Sequence, residues 1–190
     1  WLTRFALDLG FVHRPLFAAM LWSLLTFRLQ PAMSAGMFFE LLWLDLFPAG
    51  TFIPPHGLLS LSAVLTVLAC LPDPDMRVTA LVVVLALPLA YLGAWVEQRY
   101  RKRQNLSYNS LIIWNRRGVT HPYTPDRLVF QALGELFALG FALYMAGAAA
   151  LLACARLAQP LLAGGVQPTW PMLWVGACGG AVLALRLPRA

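Results

Sequence analysis

The chain predicts an all-α, polytopic membrane protein in which broken or re-entrant helices form a substrate site. Three observations carry this. Its 190 residues are 60% hydrophobic and only 12% charged, with mean hydropathy +0.69, whereas soluble domains run nearer ~45–50% apolar and ~25% charged. Several apolar runs approach or exceed the length needed to cross a bilayer. Residues 13–56, finally, set Glu40 inside an apolar stretch interrupted by Pro31, Pro48, Gly50, Pro54 and Pro55. A bare carboxylate is costly in lipid, and irregular backbone at membrane depth is tolerated only against protein or a watery cavity.

Taken in order, the run 16–27 is short, and Arg28-Leu29-Gln30-Pro31 breaks it. Residues 33–47 follow, below the ~20 residues of a full span. Two short helices meeting at a break predict a helical hairpin or re-entrant pair, the kind of element that builds midplane sites in transporters. Residues 57–71 form another short run, ended by Pro72-Asp73-Pro74-Asp75. Residues 76–98 are the clearest span, reaching about 34 Å at the helical rise, with Pro88 predicting a kink rather than a stop. After a polar segment, residues 128–158 make a second long run, in which Gly134, Gly140, Ala142, Gly147 and Ala148 predict close helix contacts. Residues 171–187 are the last apolar run. The organisation expected is a single membrane domain. It comprises a broken-helix substrate-binding region over 1–75, a span over 76–98, a basic cytoplasmic loop over 99–127, and spans within 128–190. The chain opens on Trp1 without an initiator methionine, so its termini are expected to be incomplete.

Charge orients the expected domain. Arg99, Arg101, Lys102, Arg103, Arg116, Arg117 and Arg127, against Asp126 alone, give the window 99–127 the chain's whole net charge of +6. Between apolar runs, such a cluster marks the cytoplasmic side rather than a nucleic-acid surface. The Pro72–Asp75 turn should then face outward, and Arg186 and Arg189 should return to the cytoplasm. Cys70, Cys154 and Cys178 are far apart in apolar segments and fit neither a metal pattern nor a disulfide framework. They are expected to be buried as small hydrophobes.

Glu40 is the leading candidate for contact with a polar substrate, because carboxylates accept hydrogen bonds from hydroxyl groups with strength and direction. The competing role is an ion pair with Arg28 or Arg14. Asp45 lies about 140° further round an unbroken helix, either joining the site or capping the Pro48–Gly50 break. Trp43 is near enough to stack on the apolar face of a sugar. His13 and His56 flank the segment, but a metal site would need a third ligand, and no metal is expected. Pro15 suits the first turn of a helix. Glu135 reads as an interhelical residue. No nucleophile–base pair or phosphate-cradling loop is present, so neither catalysis nor a cofactor is expected of this chain.

Leu7-Asp8, His13-Arg14-Pro15-Leu16, Gly36, Glu40-Leu41, Ala49-Gly50 and Pro54-Pro55, in that order and spacing, resemble the IIC membrane subunit of the mannose–fructose–sorbose family of bacterial sugar phosphotransferase systems. Arg103-Gln104-Asn105-Leu106 is a weaker echo of the same family. The chain departs from the pattern at Phe27-Arg28 (usually Gly-Asp), at Asp45 (usually Gly), at Pro48 (usually Asn) and at Pro55-His56 (usually Pro-Asp). The resemblance implies a sugar-translocating, multi-pass subunit of the bacterial inner membrane. It implies partnership with a IID-type membrane subunit and with cytoplasmic IIA and IIB phosphocarriers, with a homo-oligomer as a further expectation. In that family the IIC chain itself is not phosphorylated. The candidate substrate-binding residues are Glu40, Asp45, His56 and Trp43. The alternative is a non-transporting relative that acts as a structural or regulatory membrane partner.

Overall fold

The computed structural model describes residues 14–44, 53–72, 74–116, 125–162, 164 and 166–186. Helices are the only regular elements among them: α1 (Pro15–Thr26), α2 (Leu29–Leu42), α3 (Gly57–Cys70), α4 (Met76–Leu85), α5 (Leu87–Arg116), α6 (Pro125–Ala158) and α7 (Trp170–Arg186).

α1 and α2 form the expected hairpin. Pro15 opens α1 at its first position, where a missing N–H costs nothing. α1 ends at Phe27, whose φ of 56° is the left-handed turn that reverses the chain. The two helices cross closely at Gly36, where an added Cβ would stand 2.5 Å from the Cβ of Ala19. Glycine is therefore required there by helix approach, not by backbone conformation.

α3 is the centre of the bundle. Leu59, Leu61, Ala63, Val64, Leu65, Val67 and Leu68 are buried on all sides of it, as expected of a helix that is apolar all round. α4 and α5 make one long element bent at Ala86. Pro88 has no N–H to return to the Val84 carbonyl, and the buried Ala86 carbonyl accepts the Ser60 hydroxyl at 2.8 Å. The predicted kink is thus tied to α3. α6 runs back along α4 and α5, with Leu89 packed into the space over Gly147. Tyr144 meets Thr66 of α3 at 2.6 Å. α7 lies along α2, fixed by the Trp174 indole N–H donating to the Ser34 carbonyl at 3.1 Å.

Three expectations are corrected. Residues 99–116 are not a loop but the continuation of α5. Arg-Lys-Arg-Gln-Asn-Leu changes the polarity without supplying a Gly or Pro to break the helix. The cysteines Cys70, Cys154 and Cys178 are exposed and free rather than buried. A Cβ added at Gly134 would meet nothing within 4 Å, whereas one at Gly147 would meet Leu89, so of these two only Gly147 makes the expected close approach.

Among the described residues two helices are long and apolar enough to cross a membrane, Met76–Ser110 and Val129–Ala158. Only 17% of the apolar window of the second is buried, against 44% for the first. Phe130, Phe137, Phe141 and Met145 of α6 all point outward.

Candidate functional site

The open end of the α1–α2 hairpin gathers ionisable groups. Glu40 lies near the end of α2, and its Oε1 accepts from Arg14 Nη1 at 2.8 Å. The Leu16 backbone N–H reaches Oε2 at 3.5 Å. Of the two partners considered for Glu40, Arg14 is therefore the one met. The Glu40 side chain keeps 18% of its surface exposed, and Oε2, beyond its long contact with the Leu16 N–H, can still accept.

Trp43, just past α2, stacks on Phe39 with ring centroids 5.4 Å apart. Its other edge covers Gly57, at the start of α3, where an added Cβ would lie 3.0 Å from the indole. Its surroundings make it a packing residue between α2 and α3. Asp45 and His13 lie outside the described residues, as do Pro48 to Gly50.

His56 precedes α3 and is buried. Its backbone N–H donates to the Ala90 carbonyl at 3.0 Å. That satisfies a donor that would otherwise be stranded at the helix start. The ring lies over Gly93, whose missing Cβ makes the room. The His56 Nε2 meets Oε2 of Glu97. The other oxygen of Glu97 accepts from Arg101 Nη2, one turn on, at 2.5 Å. Glu97 is 0% exposed. A carboxylate so buried is tolerable only with partners on both oxygens, and His56 and Arg101 supply them.

Glu97 was not singled out in the sequence, although two signals point to it. It is an acid at the end of a long apolar run, and Arg101 stands at the i+4 position that pairs on a helix. Beyond it, the Tyr100 hydroxyl donates to the Ala132 carbonyl at 2.7 Å. Glu135 lies beside that hydroxyl and accepts from Gln131 at 3.1 Å. Glu135 is interhelical, as expected. Among the described residues no group of three metal-ligating side chains occurs.

At the closed tip of the hairpin lies a cleft of about 500 Å³. Trp22 of α1, Arg28 and Gln30 at the start of α2, Leu68 of α3, Thr79 of α4 and Trp170 of α7 contribute to its walls. None of these was proposed as a site residue. Their convergence depends on five helices meeting, which no local spacing reveals. The structure thus separates two polar regions: a paired ionic end holding Glu40, His56 and Glu97, and a cleft at the opposite end. No family model matches the chain, and neither does a curated protein or a solved structure.

Proposed function

We propose that this chain is a multi-pass subunit of a bacterial inner membrane that translocates a hexose-like sugar in a phosphotransferase system. It would work with a IID-type membrane partner and cytoplasmic IIA and IIB phosphocarriers. Phosphoryl transfer would belong to those partners, and this chain would supply the path and the sugar contacts.

The observation that carries the reading is the contact between the two halves of the motif. His13-Arg14-Pro15-Leu16 and Glu40-Leu41 are far apart in sequence, yet Arg14 and the Leu16 backbone converge on the Glu40 carboxylate. Three of the residues on which the family resemblance rests, Arg14, Leu16 and Glu40, therefore meet at the end of a short-helix hairpin. The outward apolar face of α6 supports a lipid setting, because a core helix of a soluble protein would bury such a face. In this setting the basic end of α5 and the end of α7 lie on the cytoplasmic side.

One observation favours the alternative, a non-transporting structural or regulatory partner: Arg14 already occupies one oxygen of Glu40. Transport asks the remaining oxygen, or an exchange of partners, to serve the sugar. Co-expression with the candidate IID partner and measurement of phosphoenolpyruvate-dependent hexose uptake decides between the two. Glu40→Gln is expected to lower uptake about tenfold or more, the scale of a hydrogen bond to a charged group, while assembly with the partner is retained. Unchanged uptake removes Glu40 from the site. An intact assembly that takes up no common hexose favours the alternative.

A further inference from the structure

We propose that the cleft at the hairpin tip binds a small sugar acid, with its ring against the Trp22 or Trp170 indole and its carboxylate on the Arg28 guanidinium. The volume of about 500 Å³ falls within the ~300–1,000 Å³ of small-molecule sites. Contributions from α1, α2, α3, α4 and α7 make it a walled cleft rather than a groove along one helix.

The lining chemistry selects the ligand. Among the described residues, Arg28 is the one ionisable side chain lining the cleft, and it makes no ion pair or hydrogen bond with any of them. The neighbouring acid, Asp75, is turned to Arg77, with 3.7 Å between its Oδ2 and the Arg77 Nε. Arg77 is also held by the Leu162 carbonyl at 2.6 Å. Neither indole N–H of Trp22 and Trp170 bonds to a described residue, and the Gln30 amide likewise has no such partner.

The side chains lining the cleft therefore include a guanidinium fork, two indoles and an amide, and carry more donors than acceptors. The Thr79 hydroxyl is already donating to the Asp75 carbonyl, which leaves its oxygen as an acceptor. A donor-rich wall suits an acceptor-rich ligand, and a planar guanidinium matches a carboxylate in bidentate fashion. Two indoles add flat apolar faces suited to a ring. A neutral hexose would leave the guanidinium without a counter-charge, and a simple inorganic anion would leave the indoles unused.

Within this assignment, the choice of a sugar acid over another ring-bearing carboxylate rests on the transport reading, and the two fail separately. The test uses the full chain purified into phosphatidylcholine nanodiscs, with glucuronate and glucose titrated by calorimetry and by tryptophan fluorescence. Glucuronate is expected to bind at least about tenfold more tightly than glucose, a difference of roughly 1.4 kcal/mol. Arg28→Gln should remove that advantage, and Arg28→Lys should retain part of it, with the melting temperature unchanged in both. Equal binding of the two sugars, no binding of glucuronate, or full binding by Arg28→Gln would overturn the proposal. So would glucuronate binding abolished by phosphatidylglycerol in the nanodisc, which would assign the cleft to an anionic lipid headgroup. Failure of hexose uptake alongside Arg28-dependent glucuronate binding would reject the transport reading and leave the cleft as a carboxylate site.

Discussion

At one end of the helical bundle Glu40, His56, Glu97, Arg101 and Glu135 are held in ion pairs and hydrogen bonds. At the other end Arg28 lines a cleft with no such partner among the described residues. The contrast follows from burial. Glu97 has no access to solvent, so its two oxygens depend on neighbours, and His56 and Arg101 meet both. Arg28 is exposed, so water can solvate it in place of a protein partner. One end is built for stability and the other is open to a ligand, although both belong to the same hairpin-centred bundle.

The largest effect should come from breaking the paired end at its most buried point. Glu97→Ala leaves Arg101 and His56 facing each other without their shared acceptor. It is expected to cost about 3–5 kcal/mol, the scale for removing one partner of a buried pair. Thermal unfolding of the purified chain in detergent measures this. Glu97→Gln keeps the shape and one acceptor, so it should fall between wild type and Glu97→Ala. A change below about 1 kcal/mol for Glu97→Ala, the range of exposed pairs, would show that the triad is not the anchor between α3 and α5.

A second substitution separates packing from charge. Gly36→Ala puts a methyl group 2.5 Å from the Cβ of Ala19, and neither residue has a flexible end to move aside. Forcing α1 and α2 apart is expected to cost about 1–3 kcal/mol. Ala19→Gly combined with Gly36→Ala should recover much of that loss, because the sites are in contact and not additive. An unaltered melting temperature for Gly36→Ala alone would show that the crossing is looser than its geometry implies.

The parts of this arrangement legible in the sequence are those with local causes. Pro15 at the start of α1, the break near Arg28, the Pro72–Asp75 turn and the bend at Pro88 all act through the backbone of their own segment. The helical state of residues 99–116 was missed because polarity changes there without a breaker, and hydropathy reports surroundings rather than conformation. Glu97 stands next to the basic run that begins at Arg99. Its partner His56 lies before a different helix, and only the packing of α3 on α5 brings them together. The exposed cysteines were missed for a related reason, since an apolar neighbourhood in sequence does not say whether it faces the core. The cleft was beyond sequence reading altogether, because its walls come from five helices.

The smallest effect should come from the exposed pair at the same paired end, and it tests whether burial alone sets the scale. Arg14 and Glu40 stand as close as many buried pairs, at 2.8 Å, but 45% of the Arg14 side chain is exposed. Water and salt then weaken the attraction, and holding a long arginine in place costs entropy. Arg14→Met keeps much of the apolar stem and removes the charge. It is expected to lower stability by at most about 1 kcal/mol, and the loss should shrink further as ionic strength is raised. In the uptake assay the same change frees Glu40 Oε1. If Glu40 serves the sugar, Arg14→Met therefore lowers the apparent affinity for sugar far less than Glu40→Gln does. A loss of several kcal/mol that does not respond to salt would mean that this pair is as structural as Glu97 with His56 and Arg101. The contrast between exposed and buried pairing at this end would then disappear.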